Sequence, residues 1–196
     1  MATAILAALG AQFVLGLDIP TFRPSNFFSY FTVLSNISAL IVLDLIVLRP
    51  SRLIDPSFSR WRGASTLYMG VTGIIYVTLL LPLETDVGVT EPWIDWVIHG
   101  IGPLFMIADW LFNPPLERRP WSDLGYWMIF PGVYLVYTLI RGPIVDWYPY
   151  PFLDPREDGY IGVAIGVAIV IVAFLAIGAV LLARARGREP SPVAAP

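Results

Sequence analysis

The chain has 196 residues, of which 57% are hydrophobic and 14% charged, with a formal net charge of −3 and a mean hydropathy of +0.71. Water-soluble domains carry roughly a quarter charged residues, so this composition excludes a soluble domain and indicates an integral membrane protein. The lack of cysteine excludes disulfides, thiolate metal sites and a cysteine nucleophile; the single histidine, His99, excludes a multi-histidine metal cluster; and no basic run among aromatics points to nucleic acid as a partner.

A membrane span needs about 20 apolar residues, and six apolar stretches occupy most of the chain: 2–17, 27–48, 64–83, 94–112, 124–141 and 160–183. The sequence therefore predicts an all-α bundle of six transmembrane helices, a single domain over 1–183, with a disordered tail over 184–196. The first stretch is short enough to resemble a secretory signal, but no basic segment precedes it, and Gln12 and Asp18 follow without a clean small-residue cleavage site. It reads as the first span. In the second stretch Ser29, Thr32 and Asn36 follow i, i+3, i+7 spacing, which puts them on one face with Ser35 beside them. In the third, Tyr68, Thr72 and Tyr76 form an i, i+4, i+8 row. The fourth carries Asp95 and His99 at i, i+4, a carboxylate one turn from the imidazole. The fifth bends at Pro131-Gly132 and then presents Tyr134, Tyr137, Thr138 and Arg141 along one stripe. The sixth has Gly162 and Gly166 at GxxxG spacing and then Gly178, a pattern suited to close helix packing.

Charges between the stretches set the expected orientation. Arg49, Arg52, Arg60 and Arg62 fall in the loop over 49–63, Arg118 and Arg119 in the loop over 113–123, and Arg184, Arg186 and Arg188 in the tail. The alternate loops hold only Arg23, Arg141 and Arg156, beside Glu84, Asp86, Glu91, Asp146, Asp154, Glu157 and Asp158. By the positive-inside rule both termini are cytoplasmic, and the protein is expected in the cell membrane. Asp44 and Asp109 lie near the inner helix ends, where Arg49 or Arg118 could pair with them; a structural ion pair is favoured there over a proton relay.

Polar groups in lipid are costly, so stripes on four helices imply a shared polar cavity. Thr32 lies five positions inside Phe27 and His99 five inside Ile94, so each sits about 7 Å below the outer interface at 1.5 Å per residue. A threonine hydroxyl becomes a nucleophile when a base removes its proton, a neutral imidazole suits that task, and Asp95 could orient it. Mid-helix backbone N–H groups are already bonded, so oxyanion donors are expected among side chains, with Asn36, Ser35 and Tyr76 as candidates. Ser29, Tyr134 and Tyr137 are further candidates to line the cavity, and Arg141 either snorkels to the surface or holds a substrate carboxylate.

The segments "SYFTVLSN" (29–36) and "DWVIHGIGPLFMIADWLF" (95–112), spaced across six helices, resemble the androgen-induced-protein family of membrane hydrolases, whose animal members are threonine hydrolases acting on fatty acid esters of hydroxy fatty acids. The resemblance implies a nucleophilic threonine at Thr32, a catalytic histidine at His99, a lipid or fatty-acyl ester as substrate, and no cofactor. Pro103, Asp109 and Trp110 also fit the family's pattern, and the short, arginine-only, proline-rich chain fits a bacterial member. Two other readings stay open at this stage. A small-molecule or proton-coupled transporter would also need Asp44 and Asp109, and a non-catalytic lipid-binding protein would use Thr32 and His99 as an interhelical hydrogen bond.

Overall fold

The computed structural model describes residues 1–83 and 91–185, and no strand occurs among them. Glu84, Asp86, Arg186, Arg188 and all of the predicted tail beyond Ala185 lie outside the described residues. In chain order the helices are α1 (Ala2–Leu17), α2 (Pro24–Phe27), α3 (Phe31–Leu48), α4 (Pro56–Ile75), α5 (Pro92–Asp95), α6 (Gly102–Phe112), α7 (Ser122–Trp127), α8 (Ile129–Val145) and α9 (Pro155–Ala185). A turn with π-type i→i+5 bonds extends α4 over Tyr76–Leu80, and a second joins α5 to α6 over Trp96–Ile101. Five helical units are long and apolar enough to cross a membrane: Phe31–Leu48, Pro56–Leu80, Pro92–Phe112, Ser122–Val145 and Asp158–Ala185. α1 is apolar but has 16 residues, short of the usual crossing length of about 20.

α4 is the axis of the bundle, packing against α3, α6 and α9 and carrying the largest buried share of any span. On one side of it Leu67, Trp110, Trp127 and Phe174 form one core; on the other Met69, Met106, Val42 and Ile5 form a second, which carries α1. Indole donors tie this first core to two further helices: Trp110 Nε1–H donates to Leu181 O of α9 and Trp127 Nε1–H to Arg60 O of α4, both at 2.9 Å.

Two boundaries differ from the sequence reading. α4 starts at Pro56, capped by the Asp55 carboxylate accepting from the Ser57 N–H at 2.9 Å, so Arg60 and Arg62 ride on the helix and not in a loop. Arg62 is buried and donates to Asp109 Oδ2 at 2.7 Å and to the carbonyls of Asp109 and Asn113. Asp109 therefore pairs with Arg62, not Arg118, while Asp44 is exposed and has no ion pair among the described residues. The second stretch is not one helix: the chain breaks at 28–30, Tyr30 takes an extended backbone at φ −75° and ψ 130°, and α3 starts after it. Ser29 Oγ closes the preceding turn by donating to Ser25 O at 2.6 Å, so Ser29 does not share a face with Thr32 and Asn36.

The GxxxG reading of α9 is also corrected. The three atoms nearest a Cβ on Gly162 all belong to Asp158, just across the kink at Gly159 (φ 64°), and a Cβ on Gly166 would lie 2.8 Å from Phe152 Cβ and 2.9 Å from Phe152 O. Gly166 thus seats the short 3₁₀ turn Pro151–Leu153 against α9 rather than another helix; Gly178 alone of the three meets a helix, at Leu124 of α7. Replacing Asp109 with Ala strands the buried Arg62 guanidinium, and thermal unfolding in detergent is expected to report a loss of about 3 kcal/mol.

Candidate active site

The two residues predicted to be level meet. Thr32 Oγ1 lies 3.2 Å from His99 Nε2, and His99 Nδ1 lies 2.6 Å from Asp95 Oδ1. With the carboxylate on Nδ1, the imidazole carries its proton there and turns the Nε2 lone pair to the threonine hydroxyl. The Tyr76 hydroxyl donates to the other carboxylate oxygen, Asp95 Oδ2, and the Tyr76 ring stacks on the imidazole at 4.2 Å between centroids and 5° between planes. Tyr76 therefore fixes the acid and the base together and leaves its hydroxyl committed. Thr32 and His99 are 7% and 3% exposed, so water reaches the pair only through cavities.

Two helix irregularities produce this geometry. Pro103 has no N–H for the His99 carbonyl, and the chain answers with the π turn, in which the Gly102 N–H bonds Val97 O, five residues back. That register releases Ile98 O, which accepts from Asn36 Nδ2 at 3.1 Å, while the same amide group donates to Thr32 O at 2.9 Å. Asn36 is thus a clamp between α3 and the turn carrying His99, and it has no amide hydrogen left for an oxyanion. Gly102 is required for the close approach, since a Cβ there would sit 2.7 Å from Val97 O.

The second irregularity is the break at 28–30. The first bond inside α3 runs from the Leu34 N–H to Tyr30 O at 3.2 Å, so Thr32 is the second residue of the helix and its N–H is outside the α-helical ladder. This overturns the expectation that oxyanion donors come only from side chains, since the Thr32 backbone N–H is free of the helical ladder. The Thr32 N–H instead donates to the Tyr150 hydroxyl at 3.2 Å, and that hydroxyl lies 3.4 Å from Thr32 Oγ1. An oxygen bonded to the Thr32 N–H occupies the place where a carbonyl attacked by Oγ1 would develop its negative charge, at the positive end of the α3 dipole. Burial pushes the Tyr150 phenol up from its usual value, which keeps it a neutral O–H. Tyr150 was not among the predicted residues. "DWYPYPF" reads as an interfacial aromatic belt, and only the turn seated on Gly166 carries its second tyrosine into the core.

The other predicted residues hold the scaffold. Ser35 Oγ donates to Thr32 O at 3.0 Å and shares a 2.9 Å bond with Thr72 Oγ1, joining α3 to α4. The Tyr137 hydroxyl pairs with Ser29 Oγ at 2.8 Å and the Tyr134 hydroxyl donates to Ser29 O at 2.9 Å, so both fasten the 28–30 break to α8. Arg141 Nη2 donates to Asn26 Oδ1 at 2.6 Å and its guanidinium lies over Trp147 at 5.4 Å, a packed position rather than a free surface charge. Tyr68 donates to Trp127 O in the α4–α7 core, away from the dyad. Among the described residues the polar stripes do not line one shared cavity.

Instead two cavities meet at Thr32, the one residue among those described that lines both. The first, about 160 Å³, is walled by apolar side chains, including Phe31, Ile75, Leu135, Val167 and Phe174. The second, about 250 Å³, is more polar and is lined by Gln12, Arg23, Asn26, Tyr30, His99 and Trp147. No cluster suited to a metal ion occurs among the described residues.

Comparison of the chain with protein-family models, curated proteins and solved structures finds no match. Gly102→Ala is expected to force the π turn open and lower stability by about 1–3 kcal/mol; the discriminating measurement is the labelling rate of Thr32 by an active-site acylating probe at a temperature where the variant is fully folded, and that rate should fall.

Proposed function

We propose that this protein is a membrane-embedded hydrolase of lipid esters, with Thr32 as nucleophile, His99 as general base and Asp95 as the group that orients it. The single observation carrying the proposal is the continuous line Asp95–His99–Thr32 at 2.6 and 3.2 Å with the nucleophile on an open helix N-terminus. His99 Nε2 takes the Oγ1 proton as Oγ1 attacks the ester carbonyl; the resulting oxyanion displaces the Tyr150 oxygen from the Thr32 N–H and accepts from that N–H and from the displaced Tyr150 O–H. Collapse expels the alcohol, which leaves with the proton from His99; a water deprotonated by His99 then attacks the acyl-threonine, and the fatty acid and the free hydroxyl are restored.

The proposal includes membership of the androgen-induced-protein family, on the motifs around Thr32 and His99. It also includes a sixth crossing by α1, which packs on α3 and on the turn bearing His99. With the arginine-rich ends cytoplasmic, the dyad opens toward the outer face of the cell membrane. The proton-coupled carrier is the weaker reading, because Asp109 is committed to Arg62.

The test is labelling of detergent-purified protein with a fluorophosphonate probe, read by intact mass. Wild type should take one adduct, Thr32→Ala none, and His99→Ala should react at least about 100-fold more slowly. Equal labelling of all three folded proteins, or none on wild type, would sink the proposal. Tyr150→Phe keeps the ring and removes the O–H, and is expected to lower kcat for an acyl ester by about 10²-fold with KM little changed; an unchanged kcat would restrict Tyr150 to packing.

A further inference from the structure

The apolar cavity has a second end. It runs from Thr32 between α8 and α9, and its lining includes Gly132 and Ile171, both exposed on the outer surface of the bundle. α8 and α9 do not pack closely on each other, which leaves a gap in the wall at this place. Gly132 lies ten positions into the span Ser122–Val145 and Ile171 thirteen into Asp158–Ala185, about 15–20 Å along each helix at 1.5 Å per residue. The opening therefore falls near mid-depth of the membrane, among acyl tails, whereas Thr32 is at the start of its span.

Gly132 has no packing reason to be glycine. A Cβ built there meets nothing within 4 Å, and its φ is not positive, yet glycine inside a helix costs about 1 kcal/mol relative to alanine. What the missing side chain does provide is width at the mouth. The polar cavity, by contrast, reaches Thr32 from the other side, past Arg23 and Asn26.

We infer that the gap at Gly132 and Ile171 is a lateral portal through which the acyl arm of a bilayer-dissolved ester enters the apolar chamber, its carbonyl at Thr32 and its tail end left in the membrane. The inference rests on the ester-hydrolase reading for the role of Thr32. It fixes the substrate class as a lipid that partitions into the bilayer with one unbranched acyl arm in the chamber, and it sets no upper limit on the length of that arm, because the chamber is open at the far end. The leaving alcohol and the incoming water use the polar cavity.

The test uses the full-length protein in phosphatidylcholine vesicles containing a long-chain acyl ester with a diazirine midway along the chain. After photolysis, mass spectrometry of peptides should find adducts in α8 around Leu135 and in α9 around Val167 and Phe174 on wild type and on Thr32→Ala. Gly132→Trp, whose side chain enters open space, should cut those adducts at least about tenfold; Val136→Trp, exposed on α8 but outside the chamber lining, should match wild type. Chamber adducts that are absent from wild type, or equal in Gly132→Trp and wild type with both monodisperse, overturn the portal. Cross-linking needs no turnover, so failure of the portal reads out separately from failure of the fluorophosphonate test. Where that test succeeds, Gly132→Trp should also lower hydrolysis of long-chain esters far more than that of an acetyl ester.

Discussion

The site depends on one side chain that takes no part in its chemistry. Asn36 Nδ2 bridges the carbonyl of Thr32, one turn earlier on its own helix, and the carbonyl of Ile98, released by the π turn on the neighbouring one. Both acceptors adjoin the dyad: one is the carbonyl of Thr32 itself and the other, Ile98, immediately precedes His99. A buried amide with two such acceptors is strongly directional, because each lost bond would leave a polar group uncompensated away from water. The separation of threonine and imidazole is thereby fixed through two backbone carbonyls held by one buried side-chain amide.

Around that clamp the site is held by groups that are themselves committed. Tyr76 restrains the acid through its hydroxyl and the base through its ring, so the imidazole cannot rotate away from Thr32 without losing the stack. Ser35 and Thr72 fix the first turn of α3 to α4, and Tyr134 and Tyr137 fix the break before it to α8. Most hydroxyls on the polar stripes are thus spent on position, which is the arrangement an apolar surrounding demands: in a low-dielectric interior every donor must be satisfied, and preorganised dipoles act on a developing charge with little reorganisation.

The i, i+4 spacing of Asp95 and His99 was legible in the sequence, but whether the carboxylate faced the imidazole or water was not. Thr32 came out level with His99 by counting along a helix continuous from Phe27, which the break at 28–30 interrupts, so their contact comes from the packing of α3 on the turn that carries His99. The break at 28–30 was not legible, since Ser29 and Tyr30 sit in a run whose hydropathy is continuous and whose spacing fits a helix equally well. The backbone donor at Thr32 was hidden with it. Pro103 was a readable cue to the distorted turn, as its missing N–H orphans the carbonyl of His99. Tyr150 was beyond periodicity altogether: it belongs to a loop, and its approach to Thr32 depends on a glycine in the following helix that the sequence pattern assigned to helix packing. The arginine counts put Arg60 and Arg62 in a loop, whereas α4 starts at Pro56 under the Asp55 cap and carries both, with Arg62 buried against Asp109.

The Tyr150 turn also ties the site to the order in which the protein is made. Thr32 and His99 are 67 residues apart in the chain, but Thr32 and Tyr150 are 118 apart, and the surface that seats the turn is Gly166 of the final helix. A chain emerging from its N-terminus has Thr32 and His99 in place well before the wall of the apolar chamber exists. Until α9 seats the Tyr150 turn, the threonine beside the imidazole has its own backbone N–H but not the tyrosine hydroxyl, so the last group of the site arrives with the last helix.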